Sequence, residues 1–346
     1  MEIAVVGGGI VGCAAAAFLA EASAQVTLYE RYRVAAGASG RNQGLLQNPM
    51  DEILTPLYVE SLRLHAETAP ALRLDRPPEG LLLVSHSPDG PRAIADRVAA
   101  TNPELEPVFL EHAHATEPAL SRGVTACRLE TGHQIPPATA TEAWATRARA
   151  AGVSFVVGDK GTVPARGLSR LPPADAVLFA TGAWAPAAVQ AVWGVTVSVR
   201  MATPPRHALE EAVIDAIATM TGAVPPAFAA VTADGVTTIG ATFQADEPDH
   251  AADAPALINR ASAFLREVSA APVVGSRACA RPVSPDGRPL IGRLPGEEHV
   301  WVATGNGPWG MSCGPATARI TGDAMLGRAS VPPALSLDRL RVPDGA

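Results

Sequence analysis

Gly7, Gly9 and Gly12 stand in a G-x-G-x-x-G spacing, and an acid, Glu30, follows them down the chain. Residues of these types in this order can hold a dinucleotide. The first glycine allows a tight turn out of a strand, the second lets a pyrophosphate approach the backbone, and the third lets a helix pack closely on the strand. The N–H groups at the helix start then face the phosphates. An acid at the end of the next strand can accept hydrogen bonds from a ribose diol. The spacing alone does not choose between NAD and FAD.

Further groups add to this one. Ser39, Arg41 and Asn42, in "GASGRNQG", offer a hydroxyl, a guanidinium and an amide beside a phosphate. Near the C-terminus, "ATGNGPWGMSCG" is a glycine-rich loop before a helix, a second place for an anionic or electron-rich group on backbone N–H groups. Residues 310–314 also fit the G-x-S-x-G spacing of a hydrolase nucleophile. That chemistry needs an acid and then a histidine downstream, and the last histidine, His299, lies upstream. His112 and His114 form an H-x-H pair with no third ligand nearby, so no metal site is expected. The four cysteines, Cys13, Cys127, Cys279 and Cys313, make no C-x-x-C pair. They read as free thiols of a reducing cytosol, which gives a cytoplasmic expectation.

These groups need elements to carry them. "EIAVV" (2–6) reads as a buried parallel strand, 10–22 as an Ala-rich helix, and "QVTLYE" as a strand ending at Glu30. That is a βαβ unit with the glycines in its first turn. The stretch after Glu30 reads as a Gly/Ser/Arg loop. A helix is predicted over 136–152, strands at "VSFVVG", "ADAVLFATGAW" and about 299–303, and a last helix over about 314–326. "TADGVTTIGATFQ" fits a hairpin turning at Asp234-Gly235.

Composition narrows the classes. The 346 residues suffice for two domains or one large one; 47% are hydrophobic and 18% charged, and the net charge is −7. No basic block is present, so nucleic acid is not expected as a partner. The opening apolar run has only Met1 and Glu2 before it and three consecutive glycines inside it, which suits neither an export leader nor a membrane span.

Four of these motifs in order, "VVGGGIVG…LYE", "GASGRNQG", "AVLFATGAW" and "RPVSPDGRPLIG…ATGNGPWG", resemble the FAD-dependent amine and amino-acid oxidoreductases of the D-amino-acid oxidase superfamily. The resemblance covers both ends of the chain; residues 51–134 and 196–274 match only loosely. It implies an α/β fold, with a Rossmann-like FAD-binding domain (1–50, 135–195 and 275–346) interleaved with a mixed-sheet α+β substrate domain (51–134 and 196–274). It implies that Gly7, Gly9, Gly12 and Glu30 hold the ADP half of FAD. Ser39, Arg41, Asn42, Gln43 and Gly44 would line the pyrophosphate and flavin, Arg31 would be a further cofactor-binding residue, and Val163 would meet the adenine by its backbone. Gly182 and Trp184 would flank the cofactor. Gly310, Met311 and Ser312 would lie by the flavin pyrimidine, where N–H groups stabilise charge on the reduced ring.

On the substrate side, Arg281 matches the position that grips a substrate carboxylate in glycine oxidases, a task suited to a guanidinium. The plain alternative is an ion pair with Asp286. A second family arginine is replaced here by Pro308. Cys279 stands seven residues before Asp286, where sarcosine oxidases attach the flavin covalently. The implied reaction is hydride transfer from an amine or amino acid to flavin N5, with dioxygen or another acceptor reoxidising the flavin. Lys160 is the only lysine, so the lysine that assists oxygen in sarcosine-oxidase-like members has no counterpart after it. An NAD(P)-dependent reductase, an FAD-dependent hydroxy-acid oxidoreductase and a non-catalytic flavin- or nucleotide-binding protein are the alternatives.

Overall fold

The computed structural model describes residues 1–158, 173–212 and 227–340. The chain opens with β1 (Glu2–Val6), α1 (Ile10–Glu21), β2 (Gln25–Glu30), the one-turn α2 (Ala38–Arg41), β3 (Leu45–Leu46) and α3 (Leu54–Thr68). Then come β4 (Leu81–Ser85), α4 (Asp89–Thr101), β5 (Val108–Leu110), α5 (Ala113–Thr116), β6 (Thr125–Leu129) and β7 (His133–Gln134). α6 (Pro137–Ala150), β8 (Ser154–Val157), β9 (Ala176–Phe179), β10 (Gln190–Val199) and β11 (Ala208–Glu211) follow. The rest is β12 (Ala229–Ala233), β13 (Val236–Gly240), α7 (His250–Ser262), β14 (Val273–Val283), β15 (Leu290–Arg293), β16 (Val300–Thr304) and α8 (Gly310–Met325).

A six-stranded sheet, ordered β15-β16-β9-β1-β2-β8, is parallel except for β15. Alternate residues of β1 face opposite layers, and both are apolar, as a covered parallel sheet requires. Ile3 and Val5 pack with α1, α6 and α8; Ala4 and Val6 pack with Val177, Phe179, Val300 and Val302. The Ala-rich face of α1, Ala14 to Ala17, lets α6 and α8 approach closely.

An eight-stranded mixed sheet, ordered β14-β10-β13-β12-β11-β4-β6-β5, forms the second layer. The sequence "GVTVSV" of β10 explains its two faces. Val195, Val197 and Val199 point into a core with Leu257 and Ala261 of α7. The small and polar residues between them face the other way, toward the first layer. β3 and β7 form a two-stranded ladder of their own.

The α/β architecture with a Rossmann-like unit and a mixed sheet is therefore present, and the β12–β13 hairpin turns at Asp234-Gly235 with positive φ at both, as a two-residue hairpin loop requires. Some expectations need correcting. The divisions drawn at 195 and 275 fall inside β10 and β14, which lie wholly in the eight-stranded sheet. α3, assigned to the substrate part, packs on α8 beside the nucleotide-binding layer. The segment after Glu30 holds the short α2, and α8 starts at Gly310, four residues before the expected start. Val163 lies outside the described residues. Among the described residues, no helix is long and apolar enough to cross a membrane and no His/Cys/Asp/Glu group could hold a metal.

Candidate functional site

A cavity of about 750 Å³ lies between the two sheets. At one end is the turn from β1 to α1. Gly7 has φ +115°, and a Cβ there would lie 2.5 Å from the Ala180 carbonyl oxygen. A Cβ on Gly12 would lie 1.9 Å from the Gly7 oxygen, so this glycine serves the packing of helix on strand and does not itself line the cavity. Gly9 does line it, as the N-cap of α1, and it has no side chain with which to cap that helix. Ser39 compensates: its hydroxyl accepts the Ile10 N–H at 3.0 Å. Glu30 is fixed by two backbone N–H groups, Gly8 on Oε2 at 2.7 Å and Tyr32 on Oε1 at 2.8 Å. An acid held this way keeps lone pairs for a diol.

Ala36 to Gly44 form one wall. Arg277, which sequence reasoning passed over, anchors this segment: its guanidinium donates to the Arg41 carbonyl at 2.8 Å and the Asn42 carbonyl at 2.9 Å. Asn42 also lines the cavity. Its amide donates to the Ala38 and Ser39 carbonyls and accepts the Gly44 N–H, so it shapes the loop rather than offering its side chain. Gln43 reaches across to the Ala229 carbonyl at 3.3 Å. Gly44 has φ +91°, and a Cβ there would meet the Ile135 oxygen at 1.9 Å. Arg31 and Arg41 leave cationic groups on the cavity wall.

The floor comes from the eight-stranded sheet. Gly194, Thr196, Glu210, Cys279 and Arg281 line the cavity on strands whose intervening valines and alanines face the core. Arg281 pairs with no carboxylate among the described residues. Its Nη1 donates to the Thr242 carbonyl at 3.1 Å, and its Cζ lies 4.7 Å from the centre of the Phe243 ring. The ion pair with Asp286 is not formed; Asp286 takes Arg339 instead, at 2.7 and 2.8 Å. The Arg281 head lies over Gly194, where an added Cβ would come within 2.4–2.7 Å of three guanidinium atoms. Gly194→Ala is therefore expected to push the guanidinium aside, raising KM for a carboxylate substrate roughly tenfold. FAD content and melting temperature should stay near wild type; steady-state kinetics and a thermal melt check both. The Cys279 thiol is buried, and burial pushes its pKa up against the pull of Arg281, Arg277 and Arg41.

The third wall is the start of α8. Gly310 and Met311 line the cavity, beside Gly182 and Trp184 from the turn after β9. Ser312 does not reach it: the residue is 3% exposed, and its hydroxyl accepts the Gln47 N–H at 3.2 Å. The hydroxyl instead links α8 to the residue that follows β3. Gln47, Glu210, Trp193, Thr196 and Phe243 are cavity residues that sequence reasoning missed. The only available signal was the valine alternation around Thr196.

The walls fit FAD. Gly7 and Gly9 let the β1–α1 turn pack against Ala180 and Ser39, where a Cβ would collide, and α1 and α8 both open onto the cavity with their N-termini. Arg31 Nε, Thr181 Oγ1, Thr196 Oγ1 and Gln47 Oε1 are buried with no hydrogen-bond partner among the described residues, and all four residues line this cavity. Buried polar groups are rarely left so unless something binds them. A family model described as "DAO: FAD dependent oxidoreductase" matches residues 2–324. The chain belongs to this family. Its cofactor is FAD, which removes the nicotinamide-only reductase.

Curated relatives of this FAD-dependent oxidoreductase match over short stretches. Glycine oxidase of Pseudomonas putida is 36% identical over 97 residues, 27% of this chain and 27% of that protein. Solved structures match over nearly the whole length and share the fold. Glycine oxidase of Geobacillus kaustophilus has a TM-score of 0.80 at 23% identity, covering 98% of this chain and 99% of that one. L-Proline dehydrogenase of P. horikoshii has 0.77 at 17%, covering 98% and 97%.

Proposed function

We propose that this flavoprotein oxidises a C–N bond of an amino acid or related amine, with Arg281 as the anchor of the substrate carboxylate. The observation that carries this reading is an arginine in the cavity floor with no acidic partner among the described residues, held over a glycine and against an aromatic ring. A guanidinium so placed binds a carboxylate with paired N–H donors. FAD, when bound, supplies the hydride acceptor. The chain's own residues then bind and orient. Arg281 fixes the carboxylate end, Trp193 and Phe243 give apolar surface to the carbon chain, and the first turn of α8 presents N–H groups to developing negative charge. Deprotonation of a substrate ammonium before oxidation requires no dedicated acid–base pair in the wall.

Anaerobic mixing with a panel of amino acids, matched 2-hydroxy acids and decarboxylated amines tests this. Flavin bleaching by amino acids and not by their hydroxy counterparts is the expected result; bleaching by hydroxy acids alone overturns it. Turnover in air compared with turnover on a quinone dye assigns the acceptor. We expect Cys279 to remain a free thiol, because a buried thiol whose pKa is raised carries little thiolate. Acid precipitation should then release the yellow colour to the supernatant. A yellow pellet that turns colourless in Cys279→Ala is the contrary result. All four cysteines are free and buried, which supports a reducing, cytoplasmic setting.

A further inference from the structure

Two glycines on the cavity floor make room for two polar heads to lie flat on the sheet. The Arg281 guanidinium covers Gly194 of β10, where a Cβ would strike it. The Gln43 amide covers Gly240 at the end of β13, where a Cβ would stand 2.8 Å from Nε2. Gln43 comes from the first layer, and its Nε2 donates to the Ala229 carbonyl of β12 at 3.3 Å. Its Oε1 meets no donor among the described residues, and the residue lines the cavity.

Thr196 stands between these heads. It lies two residues beyond Gly194 on β10 and on the same face, because Val195 and Val197 point into the core. The β10–β13 register, with Val197 opposite Ile239, brings Gly240 beside Thr196 at the next step. Its neighbour on β14, Arg277, is engaged with the Arg41 and Asn42 carbonyls and with Ser198. Thr196 is 4% exposed and lines the cavity, and its Oγ1 is buried with no hydrogen-bond partner among the described residues. A buried hydroxyl in that state marks a place for a partner. An amide oxygen and a hydroxyl, both able to accept, stand side by side across the floor from a guanidinium.

Spacing limits what can bridge them. Gly194 and Gly240 are diagonal neighbours on adjacent strands, about 7–8 Å apart. A guanidinium–carboxylate contact takes up about 2.8 Å of this, and an N–H bond to an acceptor about 2.9 Å. The remainder suits a carboxylate and an amine borne on one carbon. The two N–H groups of a primary amine match the two acceptors.

We propose that Thr196 Oγ1 and Gln43 Oε1 together hold the substrate amine, and that with Arg281 they select primary α-amino acids. This deepens the amine-oxidation reading and rests on Arg281 as the carboxylate anchor. Held at both ends, the carbon between carboxylate and amine presents its hydrogen in one direction. An amine farther along the chain, or one with an N-substituent, leaves an acceptor unanswered, at a cost in binding.

The test uses pivalate and 2-aminoisobutyrate, which differ only by a methyl in place of the amino group. Neither has a hydrogen on its α-carbon, so neither can reduce the flavin from there. Each is titrated anaerobically into the FAD-loaded protein, and Kd is read from the perturbation of the flavin spectrum. The wild type should bind 2-aminoisobutyrate at least tenfold tighter than pivalate. 3-Amino-2,2-dimethylpropanoate, with its amine one carbon farther out, should lose most of that advantage. Thr196→Val and Gln43→Met should each lower the ratio at least threefold, and Thr196→Ser should restore it. Equal wild-type binding of the first two acids, with pivalate still lost in Arg281→Leu, overturns the amine site and spares the anchor. Pivalate binding that ignores Arg281→Leu overturns the anchor, and absence of binding by either acid overturns both. A ratio unchanged in Thr196→Val overturns the proposal, and a resting flavin spectrum changed in the same variant then assigns the hydroxyl to the cofactor.

Discussion

Arg281→Leu is expected to lower kcat/KM for a carboxylate-bearing amine by about 10²–10³-fold, equivalent to roughly 3–4 kcal/mol of lost binding. Most of the loss should appear in KM, because the carboxylate is held alike before and during hydride transfer. A smaller fall in kcat follows if the carbon bearing hydrogen is no longer aimed. Leucine retains apolar contact with Phe243, so the melting temperature of the holoprotein should fall little. Two further readouts separate an anchor from a structural arginine. Decarboxylated amines should react equally with wild type and variant, and added guanidinium should restore part of the activity. Equal loss on amines with and without a carboxylate would assign Arg281 to the fold.

The second large effect is on stability against acid, and it begins with a proline. Pro315 lies inside α8 and has no N–H, so the Met311 carbonyl four residues earlier lacks its usual helical donor. His65 of α3 meets that carbonyl through Nε2 at 3.0 Å. Trp144 of α6 approaches the other ring nitrogen, Nδ1, with its indole Nε1 at 3.3 Å. Indole can only donate, so Nδ1 accepts and Nε2 carries the hydrogen. The ring is completely buried, and burial lowers its pKa from the ordinary 6.5 to about 4. A histidine with a depressed folded-state pKa stabilises the fold fully above pH 6.5. That contribution is lost as pH falls from 6.5 to about 4, because the unfolded chain takes up the proton first. The loss comes to about 3 kcal/mol. Protonation would also set an N–H against the indole N–H. His65→Gln should therefore be less stable at neutral pH, yet lose about 3 kcal/mol less than wild type on acidification to pH 4. Urea denaturation of both proteins at several pH values checks this. Parallel pH dependences would remove His65 from the account. Met311 lines the cavity, so loss of FAD should accompany the same acid transition.

The parts of the site that were legible in the sequence are those made by neighbours in the chain. The β1–α1 turn, Glu30 and the β12–β13 hairpin each depend on a few adjacent residues with fixed conformational demands. Gly7 and Gly12 show those demands as contacts that a Cβ would violate. What was not legible was made by distant partners. Nothing in "LLQNP" or "HALEEAV" says that Gln47 and Glu210 meet, because the contact spans 163 residues. Asn42 and Ser312 were assigned from their place in motifs, but a polar side chain serves whichever donor or acceptor lies nearest. For Asn42 that was its own loop, and for Ser312 the Gln47 N–H. Asp286 likewise found Arg339 rather than Arg281.

The placing of β16 and α8 has a consequence for biosynthesis. β1 pairs with β9 across more than 170 residues, and α1 rests against α8, which comes nearly 300 residues later. An emerging chain can pair β1 with β2 early but cannot complete the sheet around them from local contacts, and α1 stays without one of its packing partners until almost the whole chain has been made. Such distant pairings form slowly and leave apolar surface exposed in the meantime. Chains truncated before α8 should thus aggregate rather than accumulate as a smaller cofactor-binding protein, and the cell's supply of FAD can act on folding only at the end of synthesis.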